Sequence, residues 1–405
     1  MDPRTAARYM AHVTTAANWY VNTQCTEDRP WGPVHQLADE GRFVYEVYKG
    51  TRWARGSGVW AQAMAIMDLL DVAEATGEGK YARAARGGIR YLLSLQCLDV
   101  RYRQCQGAFW EHVPNDTLSL VRDGATGCFA LDYLYAHTGD GEYLDRAKRF
   151  CDWYMAYGSK KEFCWPYLRF DFDKRIGHSY LGGADPAGQE DDRPEGIDGD
   201  WQAGGGLALY YTGLLSGEDR YLQEGFRPML EKVVAIYDAH GDDPAMAGWH
   251  GRTPMTYGND DFVLVALMAG FRRFRDDRYL KHIKKRTRTH LDWMAEDGSY
   301  PNYGSTFVCS IEHLEYLRLA EEFGFDDHVD DVRAAVERSA AFGLTLQERD
   351  LNDPLFYGGL YGQTSYGTER DRIHHRSTGY SINFYLKHVA KTWPRTFSAF
   401  GWEKP

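Results

Sequence analysis

Apolar and polar positions follow a plan that repeats along this chain. Within residues 122–158, a polar, glycine-bearing loop (Arg122, Asp123, Gly124, Gly127) opens a run whose apolar positions include Phe129, Leu131, Leu134 and Tyr135. Thr138, Gly139 and Asp140 stop that run, after which Tyr143, Leu144, Ala147, Phe150, Trp153 and Tyr154 recur at three- and four-residue steps. Such spacing predicts two amphipathic helices joined by a tight turn, a helical hairpin entered through a loop.

The same plan predicts five further hairpins. The first opens at 53–58, runs through 59–75, turns at Thr76 and Gly77 and returns through 81–96. The third opens at 198–206, climbs 207–215, turns at 216–219 and returns from 221 to 239; the fourth opens at 257–261, turns near Asp276 and Asp277 and returns from 279 to 294. The fifth opens at 302–306, turns at 323–325 and returns from 329 to 342, and the sixth opens at 374–380 with one helix running through Val389. A solitary amphipathic run at 6–21 supplies the partner that the sixth lacks. After each turn an aromatic residue marks the register: Tyr81, Tyr143, Tyr221 and Tyr279, with His328 in the fifth unit. Spacings are uneven, so these are hairpins with variable loops rather than a strict solenoid. Six hairpins closed by an N-terminal helix predict an all-α fold, one (α/α)6 toroid spanning 1–405, with inner helices around an axis and outer helices covering them. Strand signals are weak and short, the clearest at 42–48 within a covering loop at 25–48.

Composition narrows the function. The formal charge of -11, from 58 acidic against 47 basic residues and without a basic block, argues against a nucleic-acid partner. No apolar run approaches the roughly 20 residues needed to span a bilayer, and the first twenty residues lack a signal-peptide centre, so a soluble, cytoplasmic protein is expected. Seven cysteines without a CxxC pair fit a reduced compartment, and Cys128 and Cys151 read as buried packing thiols. Zinc-ligand and EF-hand spacings are missing, the acidic stretch 185–200 reads as a solvated loop rather than a calcium site, and Gly204–Gly206 lacks the pattern of a nucleotide cradle. Neither a metal nor a cofactor is expected.

In a toroid the six opening loops converge on one face, which makes that face the place to look for chemistry. Asp, Ser, Thr and Asn in such loops cap helices and glycine shapes turns, but capping does not account for the Trp, Arg, Tyr and His gathered there. Among 12 tryptophans and 28 tyrosines, Trp53, Trp60, Trp110, Trp165, Trp201, Trp249, Tyr257, Tyr303 and Tyr380 lie in or beside this face as candidate stacking surfaces for sugar rings, with core packing the alternative for each tryptophan. Acidic candidates are Glu111, Asp116, Asp123, Asp198, Asp200, Asp260 and Asp261. Glycoside cleavage uses two carboxyl groups about 5 to 9.5 Å apart. Asp200, flanked by glycine and Trp201, and Asp123, at the next inner helix, are the preferred pair, with Asp260 third. Arg55, Arg122, Arg252 and Arg376 lie in or near these loops and suit bidentate binding of a carboxylate, which points to a uronic acid; pairing with neighbouring Asp residues is the structural alternative.

The hairpin spacing resembles that of six-hairpin glycosidases, and Trp53-Ala-Arg-Gly-Ser-Gly-Val-Trp60 resembles the Trp-x-Arg-Gly-x-(Gly)-Trp segment of unsaturated glucuronyl and rhamnogalacturonyl hydrolases. Here the motif carries one extra residue before its second Trp and opens the first hairpin, whereas in that family it falls late in the chain. The resemblance implies removal of a 4,5-unsaturated uronic acid from an oligosaccharide, with Asp123 and Asp200 as the matching loop acids. A lyase reading competes. Polysaccharide lyases also use helical toroids and need a Tyr or His base with a group that neutralises the uronate, and His374, His375, Arg376 and Tyr380 fall within seven residues, with His250 and Arg252 in another loop. A sugar epimerase of the N-acylglucosamine 2-epimerase type is a third reading. A helical-repeat binding protein would not gather Asp, Trp and Arg at helix starts, and the acidic clusters of terpenoid cyclases are missing. The sequence therefore predicts a glycoside hydrolase acting on an oligosaccharide or polysaccharide with acidic sugars.

Overall fold

The computed structural model describes residues 1–29, 39–52, 54–178, 205–240, 262–300, 303–362, 370–389 and 398–399. Twelve α-helices lie among them: α1 (Pro3–Thr23), α2 (Val59–Thr76), α3 (Gly79–Ser94), α4 (Val121–Thr138), α5 (Gly141–Trp153), α6 (Gly205–Ser216), α7 (Arg227–His240), α8 (Val263–Phe274), α9 (Asp277–Trp293), α10 (Tyr303–Phe323), α11 (Val329–Gly343) and α12 (His375–Val389). The even-numbered helices form an inner ring in which each packs on the next and α12 closes onto α2; the odd-numbered ones form the outer layer. The solitary helix α1 lies against α12, as its missing partner must.

Local chemistry sets each hairpin. Thr76, Thr138 and Ser216 turn their hydroxyls back to the carbonyls of Val72, Leu134 and Thr212 and accept the N–H of Glu78, Asp140 and Glu218. Gly77, Gly139 and Gly217 follow with φ of 71°, 73° and 75°, the left-handed conformation that ends a helix at low cost only without a Cβ. The aromatic register marks then reach across to the preceding outer helix. Tyr81 donates to Asn18 on α1, Tyr221 to Asp152 on α5 and Tyr279 to Glu231 on α7. These tyrosines are buried apart from that contact, so each both fills the core and fixes the angle between adjacent outer helices.

Three glutamines not singled out from the sequence do a similar job at the other ends of the outer helices. The side-chain amides of Gln24, Gln96 and Gln347 each donate to a loop glycine carbonyl (Gly41, Gly107, Gly358) and to a carbonyl of an outer helix (Ala84, Arg146, His12). Gly107 needs its missing side chain, since a Cβ would stand 2.2 Å from the Arg149 carbonyl.

Six short strands ride on the face where the inner helices begin. One sheet has the order β2 (Ala54–Gly56), β1 (Val44–Tyr48), β6 (Arg372–His374), and the other β3 (Leu118–Leu120), β4 (Arg169–Asp171), β5 (Ile176–His178), all antiparallel. Only β1 had a counterpart in the sequence pattern. Pairing of β1 with β6 brings chain segments more than 300 residues apart into register, with Glu46 opposite His374. All seven cysteines are free thiols and buried. No helix among the described residues is long and apolar enough to cross a membrane.

Candidate active site at the toroid mouth

The described part of the mouth lies over the starts of α12, α2 and α4, three neighbours in the inner ring. β6 delivers His374 and then α12; β2 leads into α2; β3 leads straight into α4, placing Arg122 and Asp123 in its first turn.

Glu111 joins two of these helix starts. Its carbonyl accepts the Val59 N–H at 2.8 Å, and its carboxylate accepts the Leu120 N–H at 2.9 Å. The second glycine of the Trp53–Trp60 motif makes room for it, because a Cβ on Gly58 would stand 2.9 Å from Glu111 Oε1. Glu111 is buried and hydrogen-bonded to Asp123. Burial first, then the Asp123 charge and the hydrogen bond to it, push Glu111 well above the usual carboxylate range, against the opposing pull of the Leu120 N–H and Arg122. Glu111 therefore holds its proton more tightly than an exposed carboxyl does, directly beside Asp123. Arg122 Nε lies 3.4 Å from Asp123 Oδ1.

Cations and aromatic rings complete the rim. Arg55 lies over the Tyr45 ring at 5.3 Å, contacts His112 Nε2 at 3.2 Å and approaches Glu46 at 3.9 Å, yet keeps nearly half of its side chain, 46%, exposed. Glu46 is held more closely by Arg372, at 2.5 Å. The Tyr45 hydroxyl is pushed up to about 12, by burial and then by Glu46, while Arg55 and Arg376 act in the opposite direction and Asp123 adds to the rise. That mutual influence places Tyr45, Arg55, Arg376 and Asp123 in one electrostatic neighbourhood. Trp60 packs edge-on to Tyr45 at 6.1 Å.

The two histidines at the α12 start differ. His374 Nδ1 accepts the Arg376 N–H at 3.0 Å, so neutral His374 carries its proton on Nε2; its ring stacks edge-on with Tyr45 at 4.8 Å and keeps 8% exposure. His375 is fully enclosed by the rings of Tyr20, Tyr45 and Trp60, and burial pushes it down to about 3. Tyr380 is likewise fully buried, between Trp60 and Phe262.

Of the residues predicted from the sequence, Arg55, Arg122, Asp123, His374 and Arg376 meet at this mouth. Trp110 precedes Glu111 and turns its ring to Phe172 at 6.0 Å on the β3–β4–β5 side. His375 and Tyr380 belong to the core beneath. Asp200, Asp260, Trp53, Trp201, Trp249, His250, Arg252 and Tyr257 lie outside the described residues. Glu111 was ranked below Asp200 on sequence; its one local signal is a carboxylate directly after the apolar pair Phe109-Trp110.

No protein-family model matches the sequence, and no curated protein does. Solved structures do. The cellobiose 2-epimerase of Bacillus thermoamylovorans superposes with a TM-score of 0.65 at 15% identity, covering 95% of this chain and 100% of that one. An unsaturated glucuronyl hydrolase of a Bacillus species, responsible for glycosaminoglycan degradation, gives 0.63 at 13% identity over 97% and 100%. An inactive variant of an α-1,6-mannanase of a Salegentibacter species, solved with α-1,6-mannotetrose, gives 0.60 at 11% over 94% and 98%. The fold is that of the six-hairpin (α/α)6 toroids, over nearly the whole length of each chain.

Proposed function

We propose that this protein is a carbohydrate-active enzyme, a hydrolase acting on an oligosaccharide that ends in a carboxylated sugar. The observation that carries the reading is the adjacent Glu111 and Asp123 carboxyls, with burial raising Glu111, set near Arg55, Arg122 and Arg376. Three guanidinium groups suit a uronate carboxylate, and Trp60 and Tyr45 offer ring faces and edges to the sugar. Asp123 is the pair's outer member, and a proton passing along the hydrogen bond from Glu111 lets it act as the acid. In removal of a 4,5-unsaturated uronate, that proton adds to C4 and water adds to C5; the resulting hemiketal opens and the sugar it capped is released.

Two carboxyls in direct hydrogen-bond contact are too close to straddle a glycosidic bond as a retaining or inverting pair, which need about 5 Å or more between them. That spacing favours double-bond hydration, with a single acid site, over plain glycoside cleavage; Asp200 remains the sequence's candidate for positioning water. A lyase would need its Tyr or His base in contact with substrate, and Tyr380 and His375 have no exposed surface to offer. An epimerase reading rests on His374, whose Nε2 carries the proton in the neutral ring.

Ultraviolet absorbance separates these readings. Unsaturated oligosaccharides prepared with lyases should lose their absorbance on incubation with the protein. A rise on intact uronic-acid polysaccharide would mean β-elimination, and a new reducing-sugar epimer with no absorbance change would mean epimerisation; either removes the hydrolase reading.

A further inference from the structure

Beneath the loop that opens the fifth hairpin, α9 and α10 enclose a cluster that the proposed reaction does not use. His290 comes from the last turn of α9, and Cys309 and Glu312, three residues apart, from one face of α10. All three are about 98% buried, and a ring nitrogen, the sulfur and a carboxylate oxygen lie within 4.8 Å of one another. We propose that this triad binds a structural zinc ion.

The chemistry of the set is that of zinc. Thiolate, neutral imidazole and carboxylate are its usual donors, with bonds of about 2.0–2.3 Å in a tetrahedron. Such bonds bring ligand atoms to about 3.5 Å apart, so the triad needs to contract by about 1 Å. One thiolate and one carboxylate match the charge of Zn2+, and the buried Arg286 nearby is the further charge that acts on His290. The ligands are also oriented from outside. Glu312 Oε1 accepts the Leu264 N–H at 3.1 Å, leaving Oε2, 3.5 Å from His290 Nδ1, to face the ion. The Tyr300 hydroxyl donates to the His290 carbonyl at 2.9 Å and hydrogen-bonds Cys309. Outer contacts of this kind fix ligand geometry.

A second observation comes from His313, on the same helix. It is fully buried, neither ring nitrogen has a hydrogen-bond partner, and its ring centroid lies 6.3 Å from that of His290. A fully buried imidazole without partners, next in sequence to Glu312, is a second polar group that this pocket leaves unsatisfied without an ion. Binding releases the Cys309 proton and staples the end of α9 to α10, under the loop that opens the fifth hairpin.

The test uses the full-length protein. Purified protein should contain about one zinc per chain by elemental analysis, and after chelation it should melt at a lower temperature and recover on adding Zn2+ alone. Replacement by Co2+ should give a thiolate-to-cobalt charge-transfer band, and Cys309→Ser should remove that band and weaken zinc binding about 100-fold. If Cys309→Ser does not fold, Glu312→Gln and the cobalt spectrum of the unmodified protein serve instead. Wild-type protein that takes up neither ion and does not change its melting temperature overturns the proposal, as does unaltered metal content in Cys309→Ser.

Discussion

Glu111 and Asp68 are both buried carboxyls that burial raises well above the usual carboxylate range, yet they occupy opposite situations. Glu111 is one hydrogen bond from Asp123 at the mouth, among arginines and with 7% of Asp123 still exposed. Asp68 lies two turns down α2 from Trp60, about 12 Å along the helix; neither of its oxygens has a hydrogen-bond partner, and burial and then the nearby Asp71 push it well above the carboxylate range. Beside it stands Asp71, which accepts from Tyr133. Farther round the ring, Glu315 pairs with Lys387 at 2.9 Å. A perturbed carboxyl is thus not in itself a mark of catalysis. What separates the two is a path: the Glu111 proton can reach a partly exposed oxygen, while the proton on Asp68 has nowhere to go.

Asp123→Asn sharpens that contrast most. It should lower kcat on the unsaturated oligosaccharide by about 10³-fold or more with little change in melting temperature, as steady-state kinetics and calorimetry will show. Lys387→Met tests the floor. It removes the Lys387 ammonium from the buried Glu315 carboxylate and should cost about 3–5 kcal/mol in denaturant unfolding, far more than loss of a surface ion pair. Glu111→Gln keeps the shape and a hydrogen-bond donor but not the proton. The expected loss in kcat is about 10-fold to 100-fold, with the alkaline limb of the kcat profile moved to lower pH and KM nearly unchanged; an unmoved profile would leave Glu111 only a structural role.

Asp68→Asn carries the smallest effect. Because the folded protein holds the Asp68 proton more tightly than the unfolded chain does, this group's contribution to stability is complete below pH 3.8 and is lost as pH rises through the elevated folded value. The variant should therefore match wild type near pH 4 and gain on it in denaturant unfolding as pH rises to 8, with activity intact. The histidines work on the acid side with the opposite sign. His12 and His375, each pushed down to about 3 by burial, stabilise the fold fully above 6.5 and lose that contribution as pH falls toward 3.

Hairpin limits were legible in the sequence to within a few residues. The helix expected at 6–21 spans 3–23, and the run expected at 329–342 spans 329–343. Tyr81, Tyr221 and Tyr279 were legible as register marks because each follows a stop signal at a fixed distance, though not that each hydroxyl reaches the outer helix before it. The short strands left little trace, since three residues are too few to show alternation and β1 pairs with β6 from the far end of the chain. The Gln24, Gln96 and Gln347 contacts also escaped notice, because Gln-to-Gly spacings of 17, 11 and 11 residues do not look like one motif.

Within the site, the sequence brought Arg55, Arg122, Asp123, His374 and Arg376 into view because loops at inner-helix starts converge in any toroid. It could not separate His374 from His375. Consecutive residues at a helix start point in different directions, and only the packing of Tyr20, Tyr45 and Trp60 decides which ring is enclosed.

By itself the sequence determined the hairpins, their turns and their register, since helix periodicity, left-handed glycine stops and side-chain caps act between residues a few positions apart. Only the tertiary structure decided which carboxyls stand side by side, which histidine reaches the mouth and which donors cluster between α9 and α10. Ionisation and access depend on burial and on charges within a few ångströms, and those neighbours come from helices and strands that the chain brings together only on closing the ring.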